Sequence, residues 1–305
     1  MRPSTTCTAM RLVIEAPGIG SRGGRAVLDA YIAKMWDAGA EQITVYTLVD
    51  DPLIPGVAQV RCIANTYAAR TAWATFGWSE TCQRYSQSIS FTGFARPPRD
   101  ADPERHQILI HNALYYEPAR RLFSKPAQIR LQLLKELTHL SAQSAGTVWV
   151  QTPHMVDHVK AHHGVTARLL KVIPKLPPPV DGPVLAPAAH RVLWVGNDAP
   201  HKRFDRLVEW AEAHPESACS AVGLEGAHPK IQFYPDLSRA EIHRAMIEAD
   251  LLLMTSEAES LGLPLYEAME VGLSVIAPDL PYVHAAGVLP KNSATKPATS
   301  CGASS

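Results

Sequence analysis

Residues 11–49 read RLVIEAPGIGSRGGRAVLDAYIAKMWDAGAEQITVYTLV, and their periodicity decides the fold. RLVIEA (11–16) is a short apolar run of the length of a buried strand, and the glycine-rich PGIGSRGG (17–24) follows it. In RAVLDAYIAKMWDAG (25–39), Val27, Leu28, Tyr31, Ile32 and Met35 recur at helical spacing, and Gly39 supplies a stop. QITVYTLV (42–49) is the next strand. Strand, glycine loop, helix and strand in about 40 residues form a βαβ unit, which implies a parallel sheet.

The alternation continues outward from this unit. SQSISFTGF (86–94) and HQILIHNALYY (106–116) read as buried strands ending in loops, with the proline-rich ARPPRDADP (95–103) between them. From Lys125 to Ser144, Leu133, Leu134, Leu137 and Leu140 mark one helical face, with Arg130 and Lys135 off it. GTVWVQT (146–152) is a strand, PHMVDHVKAHHG (153–164) a helix opened by Pro153, and LLKVIP (169–174) a strand. Six prolines between Pro174 and Pro187 cannot continue a helix or sit in a central strand. The expected organisation is therefore an N-terminal Rossmann-like domain at 1–175, a proline-rich linker at 176–187 and a second doubly wound α/β domain at 188–290. The polar, Ser/Thr/Ala-rich residues 291–305 are expected to be a disordered tail. At 305 residues the chain has room for two such domains, since a single core stops growing near ~300 residues.

Composition narrows the class. Apolar residues make up 46% and charged residues 19%, as in a soluble globular protein. Cys7, Cys62, Cys82, Cys219 and Cys301 form no C-x-x-C pair, so neither a disulfide framework nor a zinc site is indicated, and a reducing cytoplasm fits. No run approaches the ~20 apolar residues of a membrane span, and the N-terminus lacks a signal-peptide core. The zero net charge conceals an asymmetry: 20 Lys and Arg against 13 Asp and Glu through Val180, then 9 against 16. The basic half suits an anionic partner such as a membrane surface; the alternative is unselected surface charge.

ESLGLPLYEAME (259–270) follows the apolar ADLLLMTS and carries two carboxylates eight positions apart. Eight helical residues rise ~12 Å, beyond the roughly 5 to 9.5 Å of a hydrolytic carboxylate pair. Pro264 suits the first turn of a helix, which puts Glu259 in the preceding loop and Glu267 in the first turn. The loop would lie at the carboxyl edge of a parallel strand, where ligands bind, with the helix's backbone N–H groups as an anion site. A nucleoside diphosphate sugar fits, its phosphates on the helix start and its hydroxyls on the carboxylates. The structural alternative is a dipole-complementing glutamate in an ordinary strand, turn and helix.

EAESLGLPLYEAMEVGLSVIAPDLPYV (257–283) resembles the signature of glycosyltransferase family 4, the group 1 transferases, with Glu259, Gly262, Pro264, Glu267, Ala268 and Gly272 in register. WVGNDAPHKRFDRLVEWA (194–211) is similar to the family's Gly-to-Lys loop, and HNALYY with VWVQTPHMVDHV resembles bacterial members. The resemblance implies a GT-B fold, donor binding mainly by the C-terminal domain, and transfer with retention of configuration without an essential metal or other cofactor. By position, Glu259 would contact sugar hydroxyls and Glu267 the ribose. Backbone at Leu261, Gly262 and Leu263 would hold sugar and diphosphate, and Lys202 would neutralise the leaving diphosphate. Base recognition would fall to backbone near Phe233 and Tyr234. Many members carry an arginine after the loop glycine, where this chain has Asn197 after Gly196; Arg203 would have to substitute, the alternative being that it is a solvated helix-start residue.

In the N-terminal half, Gly23 and Gly24 before the first helix would let backbone approach the donor phosphate. His111, at a strand end, would face the acceptor as a catalytic candidate; the alternative is a structural histidine. Asp100 to Asp102 form a D-x-D that reads as a turn. The helix from Lys125, preceded by RRLFSK, offers a basic face to anionic lipid. The expected activity is transfer of a sugar from a UDP- or GDP-sugar to a saccharide or lipid-linked acceptor in surface polysaccharide synthesis, at the inner membrane face and with no nucleic acid. The alternatives are a nucleotide-sugar epimerase of the same architecture, or a non-catalytic remnant, since family members continue with further elements beyond PYV.

Overall fold

The computed structural model describes residues 10–19, 22–96 and 102–288. Two compact units divide the chain: Met1–Pro177 with Ala258–Leu263, and Pro178–Glu257 with Pro264–Ser305.

In the first unit, β1 (Met10–Glu15), β2 (Ala40–Leu48), β3 (Ala58–Ile63), β4 (Gln87–Ser90), β5 (His106–Leu109), β6 (Thr147–Val150) and β7 (Arg168–Leu169) form one sheet in the order β3-β2-β1-β4-β5-β6-β7. Every pairing is parallel. The chain runs outward from β1 to β3, then returns beside β1 as β4, so the topological switch lies between β1 and β4, where open sheets bind ligands. Leu12, Val13 and Ile14 are wholly buried, as the continuous apolar run of a central parallel strand requires. Helix α1 (Arg22–Asp37) makes the first crossover. Helix α2 (Tyr67–Ala72), a π-helical stretch Trp73–Gly77 and α3 (Trp78–Cys82) run on as one segment, which sets Trp78, Ala74 and Cys82 against Val13. Helices α4 (Lys125–Ser144) and α5 (Pro153–His163) follow β5 and β6.

The second unit repeats the design with β8 (Arg191–Val195), β9 (Ala218–Val222), β10 (Ile231–Tyr234), β11 (Leu251–Leu253) and β12 (Ser274–Ile276), all parallel in the order β10-β9-β8-β11-β12. Its switch lies between β8 and β11. Helices α6 (Phe204–Ala213), α7 (Arg239–Glu248), α8 (Leu263–Glu270) and α9 (Pro281–Ala285) connect and cover these strands. Trp194, Leu207 and Ala211 pack one cluster; Leu252, Leu265, Ala268 and Val283 pack another.

Three sequence expectations change. The leucine face of α4 is not the buried one: Leu133 and Leu140 are 51% and 45% exposed, while Thr138, Ser141 and Ala142 are buried. Ala142 joins Ala113 and Val148 in the core, and such small residues let a helix sit close to its neighbours. The strand expected over 169–174 is only Arg168–Leu169, after which the chain leaves the ladder towards its prolines. Strand β3 and the helical segment 67–82 are additions to the expected elements; β3, at the sheet edge, shows mostly exposed or half-buried residues and so no clean apolar signal. Asp102 caps a turn, its Oδ1 accepting the Glu104 N–H at 3.1 Å; Asp100 and the 291–305 tail lie outside the described residues.

Candidate active site

In the second unit the loops after β8 and β11, adjacent across the switch, are tied together by hydrogen bonds. Directly after β8 the chain passes the Trp194 ring so closely that a Cβ on Gly196 would come within 2.5 Å of it, so only glycine fits there. The Asn197 side chain accepts the Ala199 N–H at 3.2 Å, which makes it a turn residue. Lys202 closes a 3-10 turn, and Arg203 enters α6 with φ 51 and ψ 53, a left-handed conformation that a side chain adopts only at a cost of about 1–2 kcal/mol. Its guanidinium is engaged where it stands: Asp205 receives Nη2 at 2.6 Å, and Glu257 takes Nη1. Glu257 also pairs with Arg206 at 2.9 Å. Arg203 therefore reaches any phosphate already neutralised by two carboxylates.

Trp194 Nε1 donates to Thr255 Oγ1 at 2.8 Å, Thr255 Oγ1 donates to the Lys202 carbonyl at 2.6 Å, and the Glu257 N–H donates to the His201 carbonyl at 2.8 Å. From α9, the buried Tyr282 hydroxyl donates to the Ser256 carbonyl at 2.7 Å. Backbone on both sides of Lys202 is thereby fixed.

Glu267 was expected in the first turn of its helix and lies in the second, because α8 begins at Leu263, directly after Gly262 at φ 68. It is buried and forms an ion pair with Arg239 at 2.8 Å. Burial raises its carboxyl above the usual range, opposed by the Arg239 charge. Arg239 is held at the start of α7 by a capping box between Ser238 and Glu241.

Residues 258–263 belong with the first unit. There the Ser260 carbonyl accepts Thr152 Oγ1 at 2.6 Å and the Glu259 carbonyl accepts His154 Nε2 at 3.1 Å. Leu261 is buried. Gly23 and Gly24 lie inside the first turn of α1, not before it, and a Cβ on Gly23 would stand 3.8 Å from Leu263 Cδ2. His111 follows β5, and burial pushes its pKa down to about 4, so its imidazole is neutral near pH 7. Gly23, Leu261, Gly262, Leu263 and Glu259 thus belong to one unit with His111, whereas Gly196, Asn197, Lys202, Arg203 and Glu267 belong to the other.

Sequence reasoning missed Glu15, Thr152, His154 and Arg239. Glu15, wholly buried at the end of β1, accepts Ser90 Oγ at 2.7 Å and Thr92 Oγ1 at 2.6 Å on Oε2. A charged residue closing an otherwise apolar strand was the available signal. Among the described residues no group of three or more His, Cys, Asp or Glu is placed to hold a metal ion, and no helix is long and apolar enough to cross a membrane. A pocket of about 490 Å³ beside β10 is lined by Gly226, His228, Gln232 and Phe233; of the residues expected to meet the donor, only Phe233, named for base recognition, lines it.

Two doubly wound parallel units, with polar loops gathered at the carboxyl edges beside each switch, define the GT-B class of glycosyltransferase folds. Solved structures agree: the sucrose-phosphate synthase of Thermosynechococcus elongatus matches with TM-score 0.64 at 15% identity, over 90% of this chain and 82% of its own. WaaG, a glycosyltransferase involved in lipopolysaccharide biosynthesis, matches with TM-score 0.65 at 15% identity, over 90% and 83%. A putative UDP-N-acetylglucosamine 2-epimerase from Listeria monocytogenes matches less well, with TM-score 0.51 at 13% identity, over 88% and 79%. Residues 189–286, about a third of the chain, match the family described as glycosyl transferases group 1. No curated protein matches the sequence.

Proposed function

We propose that the chain transfers a sugar from a nucleoside diphosphate donor, UDP- or GDP-linked, to a saccharide or lipid-linked acceptor, with retention of anomeric configuration. The observation that carries this reading is the bonding around Lys202, whose carbonyl takes the Thr255 hydroxyl while the neighbouring His201 carbonyl takes the Glu257 N–H. A preorganised cation stabilises charge that develops on a leaving diphosphate without rearranging during the reaction. In this role Lys202 supplies the leaving-group charge, Glu259 holds sugar hydroxyls, Glu267 receives the ribose, and backbone at Leu261, Gly262 and Leu263 meets the sugar and diphosphate.

Lys202→Ala and Glu259→Ala are each expected to lower turnover at least about 100-fold while thermal melts stay near wild type. Wild-type transfer by both variants would overturn the reading. EDTA should leave turnover unchanged, and NMR of the product should show the donor's anomeric configuration. Conversion of a UDP-sugar with no acceptor present would favour the epimerase reading instead.

A membrane-borne acceptor is supported by the outer face of α4. Ile129, Leu133 and Leu140 are exposed there beside the exposed Arg121, Lys125 and Arg130. Apolar residues flanked by cations suit an anionic interface. The chain should co-sediment with vesicles containing phosphatidylglycerol and not with pure phosphatidylcholine.

A further inference from the structure

The start of α5 is built in an unusual way. Thr152 occupies its N-cap with extended backbone, φ −140 and ψ 153, yet makes no side-chain capping bond. A threonine in that position ordinarily accepts an N–H of the first turn, a contact that stabilises a helix measurably. Here the hydroxyl, 1% exposed, donates at 2.6 Å to the Ser260 carbonyl. Two residues on, His154 Nε2 donates at 3.1 Å to the Glu259 carbonyl, and the buried Nδ1 of the same ring has no protein partner among the described residues. Two consecutive carbonyls are therefore drawn to one helix start by side chains, within one compact unit.

The consequence follows from peptide geometry. The described chain contains no cis peptide bond, so the N–H of each unit points opposite its C=O. Fixing the carbonyls of Glu259 and Ser260 towards α5 turns the N–H groups of Ser260 and Leu261 the other way. Directly beyond them Gly262, at φ 68, leads into α8.

We propose that Thr152 and His154 are positioning residues: by holding the carbonyls of Glu259 and Ser260 they aim the N–H groups of Ser260 and Leu261 at the anionic and hydroxyl groups of a nucleoside diphosphate sugar. This rests on the donor reading above. Both residues act through backbone, and neither touches the donor.

The test compares Thr152→Val, Thr152→Ser and His154→Gln in the full chain. Thr152→Val keeps the shape and removes the donor, so KM for the sugar nucleotide should rise about tenfold, the value of one buried hydrogen bond, with KM for the acceptor unchanged. Thr152→Ser should restore wild-type KM, and His154→Gln, which retains an N–H donor, should fall between. Hydrogen exchange gives a readout independent of activity: peptides spanning 258–263 should exchange faster in Thr152→Val, and other peptides of the same unit should not. Wild-type donor KM and exchange in Thr152→Val, or equal defects in the Val and Ser variants, would overturn the inference while leaving the transferase reading intact. A wild-type chain that neither binds nor transfers from UDP- or GDP-sugars would overturn both.

Discussion

The histidines on the far side of α5 make a quantitative prediction about acid. His163 is 2% exposed; its Nε2 lies 2.7 Å from the Tyr116 hydroxyl and its Nδ1 3.3 Å from His139 Nδ1. Burial first, then the neighbouring charges of His139, Lys135 and His162, push the His163 pKa from 6.5 down to about 4. The Tyr116 phenol is kept protonated by burial and shares a hydrogen bond with Nε2 whose direction the ring's tautomer sets. The unfolded chain takes up this proton near pH 6.5 and the folded chain only near 4, so the unfolded state binds more protons throughout the interval. Stability conferred by the neutral ring is complete above pH 6.5 and is lost as pH falls towards 4. A pKa gap of about 2.5 at 1.36 kcal/mol each corresponds to about 3 kcal/mol, a large part of the 5–15 kcal/mol that typically holds a domain. Urea unfolding from pH 7.5 to 4.5 measures it, with the two units fitted as separate transitions. In His163→Gln the first unit should start less stable at pH 7.5 and lose far less on acidification, with the second unit's transition unmoved. Parallel acid dependences in wild type and variant would refute the reasoning.

Two further outcomes follow from the second unit. Arg239→Met leaves the Glu267 carboxylate buried without its ion-pair partner, so that unit should lose about 3 kcal/mol at pH 7 and less as pH falls and the raised carboxyl takes up a proton. The double variant Arg239→Met, Glu267→Gln should be more stable than Arg239→Met, as a urea double-mutant cycle would show. Thr255→Val strips the acceptor from Trp194 Nε1 and the donor from the Lys202 carbonyl, and should cost about 2–3 kcal/mol in urea unfolding, with a lower kcat from the loosened Lys202 backbone.

The parallel sheets were legible because central strands carry their own signal. β1 reads as a continuous apolar run, and the helical spacing through Met35 marks α1. Edge elements carried less: β3 has few buried residues, and α4 buries Thr138, Ser141 and Ala142 while exposing leucines whose spacing suggests a packing face. Around the expected site residues, the loop at Glu259 and Gly262 and the helix start beside Pro264 were legible from their spacing. Their supports were not. Thr152 reads as a routine N-cap, His154 as one of several histidines in a helix, and Arg239 as a charge in the first turn of α7, each gaining its role only from a contact distant in sequence.

Arg203 shows the same point from the opposite side. As a cation close behind Asn197 it could read as a substitute for an arginine after the loop glycine or as a solvated helix-start residue, yet its left-handed backbone and both of its carboxylate partners bind it locally. Glu257 joins the two sides of this arrangement, since its side chain takes Arg203 and Arg206 while its N–H donates to the His201 carbonyl. The arginines therefore hold the loop in shape, and a phosphate arriving there would have to compete with carboxylates already in place. Lys202 stands one residue earlier, with backbone bonds on both sides: Thr255 Oγ1 holds its own carbonyl and the Glu257 N–H holds that of His201. The backbone that carries this cation is therefore fixed on both sides by bonds within the unit. The loop is ordered when the unit folds, so a ligand that meets it would not bear the entropy of fixing it.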